Sequence, residues 1–247
     1  ASMAQKYRVV GDDGEVTGGP VYYIKAAYKG VFGKVLAALF AVFIILALGF
    51  MGNMVQSNSI GDAFKNAFGP VLQTNFGIEP ATVSLAVGIV VAILSLFIFV
   101  GGVSRIASIT EKVVPIMAGF YIIGALIIII MNIGNLIPAL ASIFKGAFTP
   151  MSLFGGVVGT TVQQAMTKGV ARGLFSNEAG MGSTPHAHAL AKVKHPCDQG
   201  MVAMMGVFID TFVILNLTAL VIIMTGTLKG EKLEGIALTQ SAFTSGF

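Results

Sequence analysis

Charged residues divide this chain into long apolar stretches. No Asp, Glu, Lys or Arg occurs from Val35 to Gly61, Pro80 to Ser104, Val113 to Phe144, Gly146 to Thr167 or Gln199 to Ile209. The first four are long enough for membrane spans and not core helices, and the last is closed only by Asp210 inside an apolar stretch that continues to Met224. Five helices follow from what interrupts them. The first runs from about Val35 to Gln56 or a little beyond, between Lys34 and the pair Asp62 and Lys65. The second covers Ala81 to Val103, after Pro80 and before Gly101, Gly102 and Arg105. The third begins near Val113 to Pro115, since proline is tolerated in a first turn, and ends around Ile133 to Pro138. The fourth is a glycine-containing segment from Gly155 to about Lys192, and the fifth spans about Gly200 to Met224. At ~1.5 Å rise per residue, ~20 residues cross a ~30 Å hydrocarbon layer. Four of the runs fit that length, and the fourth is too long for one simple crossing.

Composition sharpens this into an exclusion. Of 247 residues 55% are hydrophobic, and only 15 basic and 11 acidic residues are present, 11% of the chain. Soluble domains carry about 25% charge, so a water-soluble globule is excluded. The net charge of +4 does not point to nucleic acid, because the cations lie in short loops between apolar runs and are not gathered on one face. The single cysteine, Cys197, forms no internal disulfide. The first thirty residues are polar and glycine-containing, unlike a signal peptide. Ala1 to Lys6 reads as the tail of a preceding element, and the chain as a fragment.

The basic residues also orient the spans. Lys6, Arg8, Lys25, Lys29, Lys34, Arg105, Lys112, Lys192 and Lys194 fall on one side, nine against four (Lys65, Lys145, Lys229 and Lys232) on the other. The positive-inside rule then gives a cytoplasmic segment 1–34, five spans over 35–224 and a polar external loop 225–247, all one transmembrane region.

Polar residues at membrane depth are costly and serve as functional hypotheses. The strongest cluster lies in the fourth segment, where Gly169 and Gly173 are followed by Ser176, Asn177 and Glu178. Glycine weakens a helix by ~1 kcal/mol relative to alanine, and Ser or Asn favours caps, so a break is expected between Lys168 and Asn177. A helix broken in hydrocarbon must line a cavity or meet a ligand. Its carbonyl end attracts a cation or ammonium group and its amide end a carboxylate, which together match an amino-acid zwitterion. The competing possibility is a cytoplasmic re-entrant loop from Phe175 to Pro185, with Glu178 neutralising Arg172 or Lys168. In the first span Gly49, Asn53 and Gln56 recur at i, i+4 and i+7, presenting either a site or ordinary interhelical hydrogen bonds. Asp210 and Thr211 fall inside the fifth span, where a carboxylate needs Na⁺, Arg172 or Lys168. His186, His188 and His195 lack ligand spacing, so no metal other than Na⁺ is expected. The scattered Met and Phe residues supply lipid-facing bulk.

Several segments resemble one family. Gly18-Gly-Pro-Val-Tyr-Tyr-Ile24, Gly52-Asn-Met-Val-Gln-Ser-Asn-Ser59, Gly173-Leu-Phe-Ser-Asn-Glu-Ala-Gly-Met-Gly-Ser183, Thr184-Pro-His-Ala-His-Ala189 and His195-Pro-Cys-Asp-Gln-Gly200, with Asp210-Thr211, are similar to the alanine or glycine:cation symporters. The ordered set covers nearly the whole chain. The resemblance implies an all-α integral membrane protein with part of a leucine-transporter type inverted-repeat fold. It also implies a sodium-coupled importer of small neutral amino acids in the bacterial inner membrane, with proton coupling possible in the wider superfamily. The five spans correspond to transmembrane helices 3 to 7 of that family, the fourth being broken helix 6. Helix 1 and helix 8 onward, which supply further substrate and sodium ligands, are absent from this chain.

Carried over by resemblance, Gly169, Gly173, Phe175, Ser176 and Asn177 line the break and bind substrate, Phe175 acting as an apolar lid. Gln56, with Asn53 behind it, reaches substrate from helix 3, and Thr211 with Asp210 binds or supports sodium. Substrate and ion binding would bias the rocking of one bundle against a scaffold, giving alternating access. No HExxH, GxSG or GxGD motif supports an intramembrane protease. A channel remains the other rival.

Overall fold

The fold is that of a computed structural model, which describes residues 1–12, 14–148, 167, 169, 170, 173, 176–178, 180–229, 233 and 235–247. Most of these are helical. A short helix α1 (Ser2–Lys6) leads into an antiparallel hairpin, β1 (Val9–Val10) against β2 (Val16–Thr17), with Val9 opposite Thr17. Then come α2 (Pro20–Ala27), α3 (Val31–Ile44), a π-helical segment (Ile45–Gly52) and α4 (Asn53–Phe76). Next follow α5 (Pro80–Val100), α6 (Gly102–Met131) and α7 (Leu136–Phe148). Beyond these lie α8 (Thr184–Ala189), α9 (Pro196–Phe208), a second π-helical segment (Ile209–Ile214), α10 (Leu215–Met224) and α11 (Ile236–Gly246).

Four stretches of the described residues are long and apolar enough to cross a membrane: Val31–Phe76, Pro80–Val100, Gly102–Met131 and Pro196–Met224. Within Pro80–Val100 only 6% of the most apolar window is buried by the chain itself. A water-soluble surface does not carry apolar area on that scale. The helical form follows from the same environment, since backbone N–H and C=O groups in hydrocarbon must be satisfied within the segment.

The boundaries differ from the sequence expectation in instructive ways. The first span continues past Gln56 to Phe76, although Asp62, Lys65 and Pro70 interrupt its apolar pattern. Packing against α5 compensates: Gly61 and Gly69 stand so close to it that added Cβ atoms would lie 2.5 Å from Ser84 Oγ and 3.2 Å from Pro80 Cβ. Such small-residue contacts are how membrane helices approach closely. The basic loop expected around Arg105 and Lys112 is helical. Only Gly101 separates α5 from α6, Gly102 takes φ 70°, and Arg105 folds back over the Phe97 ring at 3.8 Å. Pro115 consequently lies inside α6 and not in its first turn. Helix α7 follows the third span after a short 3₁₀ turn, and the tail read as a polar loop contains α11. The fourth segment falls mostly outside the described residues.

The chain divides into two compact units, residues 1–52 with 146–215 and residues 53–145 with 216–247. The first is knitted by small residues. Ala4, Ala37 and Ala189 are fully buried, and a Cβ on Gly18 would stand 2.5 Å from that of Ala189. The second unit has a larger apolar core from α6, α7, α10 and α11, comprising Ala125, Ile128, Ile129, Ala139, Val221, Met224 and Ala242. Tyr121 and Thr218 share a hydroxyl hydrogen bond beside it, and Asn135 Nδ2 donates to the Met224 carbonyl at 3.0 Å. Helix α11 joins through Gln240, whose Nε2 donates to the Ala63 carbonyl at 2.9 Å, and through Gly246, where an added Cβ would meet Ile128 Cγ2 at 2.6 Å.

Ile128 is fully buried at the centre of this core. Ile128→Ala is expected to lower unfolding free energy by about 2–5 kcal/mol, read by denaturation in detergent micelles. An unchanged transition would contradict the packing described.

Candidate functional site

Asp210 and Thr211 lie in the second π-helical segment of the first unit. A π turn offsets the hydrogen-bond ladder by one residue, and such turns occur frequently at functional sites. Both residues are partly buried and face the end of the glycine-rich segment. Ser176 Oγ donates to Asp210 Oδ2 at 2.7 Å, and Asn177 Nδ2 approaches Thr211 Oγ1 at 3.4 Å. Two consecutive residues therefore pair with two consecutive residues.

Thr167, Gly169, Val170, Gly173, Ser176 and Asn177 are helical, and the chain leaves helical conformation at Glu178. Glu178 has φ 55°, a left-handed conformation uncommon for a residue with a side chain. Its carboxylate accepts hydrogen bonds from the Ser183 hydroxyl and, at 3.3 Å, from Thr184 Oγ1. That ring of side chains holds the six-residue turn into α8. The Ser183-Thr-Pro185 sequence is a helix-start signal, because proline is preorganised for a first turn. It could have revealed this role for Glu178, whose expected partners Arg172 and Lys168 lie outside the described residues.

Helix α8 is held at its other end by a residue pair with no sequence signal at all. Gln5 Nε2 donates to the carbonyls of His188 and, at 2.8 Å, Ala191, while Arg8 Nη1 donates to Ala191 at 2.8 Å and Ala189 at 3.2 Å. These carbonyls belong to the last turn of α8 and the residues just beyond it, where a helix end leaves acceptors over. Gln199, buried on α9, places its Nε2 at 2.7 Å from His188 Nδ1. His186 stacks on Phe40 with ring centres 6.4 Å apart, and Gly19 admits it: a Cβ there would lie 2.5 Å from the ring. His195 caps α9, its Nδ1 accepting from the Cys197 amide at 3.2 Å while its own amide donates to Asp198 Oδ2 at 3.1 Å. The three histidines thus have packing and capping roles.

The remaining sequence candidates are distributed as follows. Gly169 and Gly173 are exposed, with no described neighbour within 4 Å of the position a Cβ would take. Asn53 and Gln56 are exposed on the first turn of α4 and belong to the second unit. Phe175 lies outside the described residues. The pairs Ser176–Asp210 and Asn177–Thr211 are what the fold brings together. They gather hydroxyl, amide and carboxylate oxygens, a set suited to a hard cation and not to a soft metal.

Burial holds the His188 imidazole below its usual value near 6.5. The folded state therefore favours neutral His188. Its contribution is complete above the usual value and is lost as pH falls through the lowered one. The thermal midpoint should drop on acidification, and His188→Gln should flatten that dependence. Identical pH profiles would refute the role of His188.

The sodium:alanine symporter family matches residues 1–247. The chain is 42% identical to the sodium/alanine symporter AgcS of Methanococcus maripaludis, over 98% of this chain and 51% of that protein. It is 41% identical to the putative sodium/proton-dependent alanine carrier protein YrbD of Bacillus subtilis, over 95% of this chain and 44% of that one. To the probable sodium/glutamine symporter GlnT of the same organism it is 41% identical, over 99% and 47% respectively. The chain spans about half the length of these relatives. With its apolar spans and helical fold, this makes it all-α and multi-pass, of a family of transporters and not of enzymes. The chain belongs to the sodium:alanine symporter family.

Proposed function

We propose that this chain forms the central part of a symporter that couples sodium entry to uptake of a small neutral amino acid, alanine or glycine, across the plasma membrane. The observation that carries this reading is the double pairing of Ser176 with Asp210 and Asn177 with Thr211. It joins Ser176 and Asn177, helical residues that follow a glycine-rich stretch of sequence, to an irregular turn inside an apolar span, and irregular backbone at depth is tolerated where it lines a cavity or binds an ion.

Asp210 supplies a negative charge beside oxygen-bearing side chains, which favours Na⁺. The backbone around Gly173 to Asn177 receives the zwitterion, and the family resemblance adds Phe175, Gln56 and Asn53 to the residues that act on substrate. Joint binding of ion and substrate favours one state of a rocking bundle over the other, which is alternating access. A leucine-transporter type inverted repeat is the architecture in which such a site falls at the midplane. Helices outside this chain complete it.

Proton coupling is the second reading, supported by the name of the Bacillus subtilis carrier. The two separate in proteoliposomes containing the full-length protein. Alanine or glycine uptake should be saturable and driven by a sodium gradient. Uptake driven by a proton gradient alone supports the second reading, and unitary currents support a channel. Asp210→Asn should raise the sodium concentration for half-maximal uptake about tenfold, the equivalent of ~1.4 kcal/mol. Gln56→Ala and Gly173→Leu should impair amino-acid uptake. Unaltered kinetics in all three would overturn the site, and competition among alanine, glycine and glutamine identifies the substrate.

A further inference from the structure

The turn from α2 into α3 is a rigid corner. Gly30 adopts φ 83°, and Gly33 is buried against the preceding backbone: a Cβ on it would stand 1.7 Å from the Tyr28 carbonyl oxygen and 2.7 Å from its carbon. No side-chain rotation could relieve such a contact. Helix α2 therefore leaves the foot of the span Val31–Phe76 in one geometry. Tyr28 packs edge-on against Phe32, ring centres 5.6 Å apart, which stiffens the corner further.

Two kinds of side chain remain open there. Tyr28 is 52% exposed, Val31 77% and Phe32 65%. Lys25, Lys29 and Lys34 are also exposed, and none of them forms an ion pair among the described residues. No acidic residue interrupts the sequence from Lys25 to Lys34. Val31 opens an apolar span, so the corner falls where hydrocarbon gives way to headgroups. At that depth aromatic rings anchor at the boundary, while lysine stems lie along apolar surface and carry their ammonium groups outward.

We infer that this corner is a docking surface for anionic phospholipid headgroups, held by Lys25, Lys29 and Lys34 around the Tyr28–Phe32 pair. Charge complementarity selects the occupant. A phosphatidylglycerol headgroup offers uncompensated negative charge, whereas phosphatidylcholine brings its own cation. The exposed aromatic and aliphatic groups require an acyl boundary beside that phosphate, which free phosphate or nucleic acid does not supply.

The test uses full-length protein in a neutral detergent, titrated separately with phosphatidylglycerol and phosphatidylcholine, with retained lipids counted by native mass spectrometry. Two lysines near an anionic surface are together worth about thirtyfold in binding, at ~1 kcal/mol each. Lys25→Gln with Lys29→Gln should weaken retention of the tightest phosphatidylglycerol by about that factor and leave phosphatidylcholine unchanged. Lys192→Gln with Lys194→Gln, an equal loss of charge elsewhere in the unit, should leave both unchanged. Lys25→Arg with Lys29→Arg should keep the preference, which separates loss of charge from misfolding. Equal weakening by both glutamine pairs, no weakening by the first, or displacement of the lipid by inorganic phosphate would overturn the proposal. The readout is lipid retention and stands apart from any transport measurement.

Discussion

Every backbone amide and carbonyl in hydrocarbon must find its partner inside the protein, and the rest of this structure follows from that constraint. It makes the long apolar runs helical and gives each departure from a regular helix a cost. The departures are few among the described residues, and several coincide with polar side chains. The π turn at Ile209–Ile214 carries Asp210 and Thr211, and helical Ser176 and Asn177 give way to a left-handed Glu178. The polar side chains at these two departures are paired with one another or with neighbours. Ser176 and Asn177 reach the π turn, and Ser183 and Thr184 hold the Glu178 carboxylate.

Within the first unit these contacts form a chain of side chains from apolar span to polar loop. Asp210 is linked to Ser176, Glu178 to the start of α8, and the end of α8 to Gln5, Arg8 and Gln199. Small residues make the close approach feasible: Gly18 and Gly19 seat α8, and Gly182 lies against Phe40 and Pro20. Such a cluster has little apolar area of its own. Its specificity comes from hydrogen bonds to carbonyls that a helix end leaves over, and the loss of one partner strands a buried polar group at a cost of about 1–3 kcal/mol.

The second unit is stabilised differently. Ile128 and Val221 are fully buried in a contiguous apolar core, and Asn135 and Tyr121 bond across its edge. Helix α11 completes it by placing Gly246 where no larger residue fits against Ile128. Tight packing drives association here because, within lipid, the hydrophobic effect no longer distinguishes protein from solvent.

The uncharged runs by themselves determined that the chain is a multi-pass helical membrane protein, because the cost of burying charge in hydrocarbon is what empties stretches of such length of Asp, Glu, Lys and Arg. Polar groups set against an apolar background also singled out Ser176, Asn177, Asp210 and Thr211 as candidates. The helix ends were less legible. Charges at Asp62, Lys65, Arg105 and Lys112 looked like loops, yet glycine contacts to α5 and a ring beneath Arg105 keep these stretches helical. Only the tertiary structure decided that Ser176 meets Asp210, that Glu178 turns to Ser183, and that Gln5 and Arg8 close the end of α8. Gln5 and His188 are 183 positions apart. A partner at that distance leaves no periodicity in the sequence, because hydrogen bonds of this kind depend on direction and separation in space, which arise only when the chain has folded.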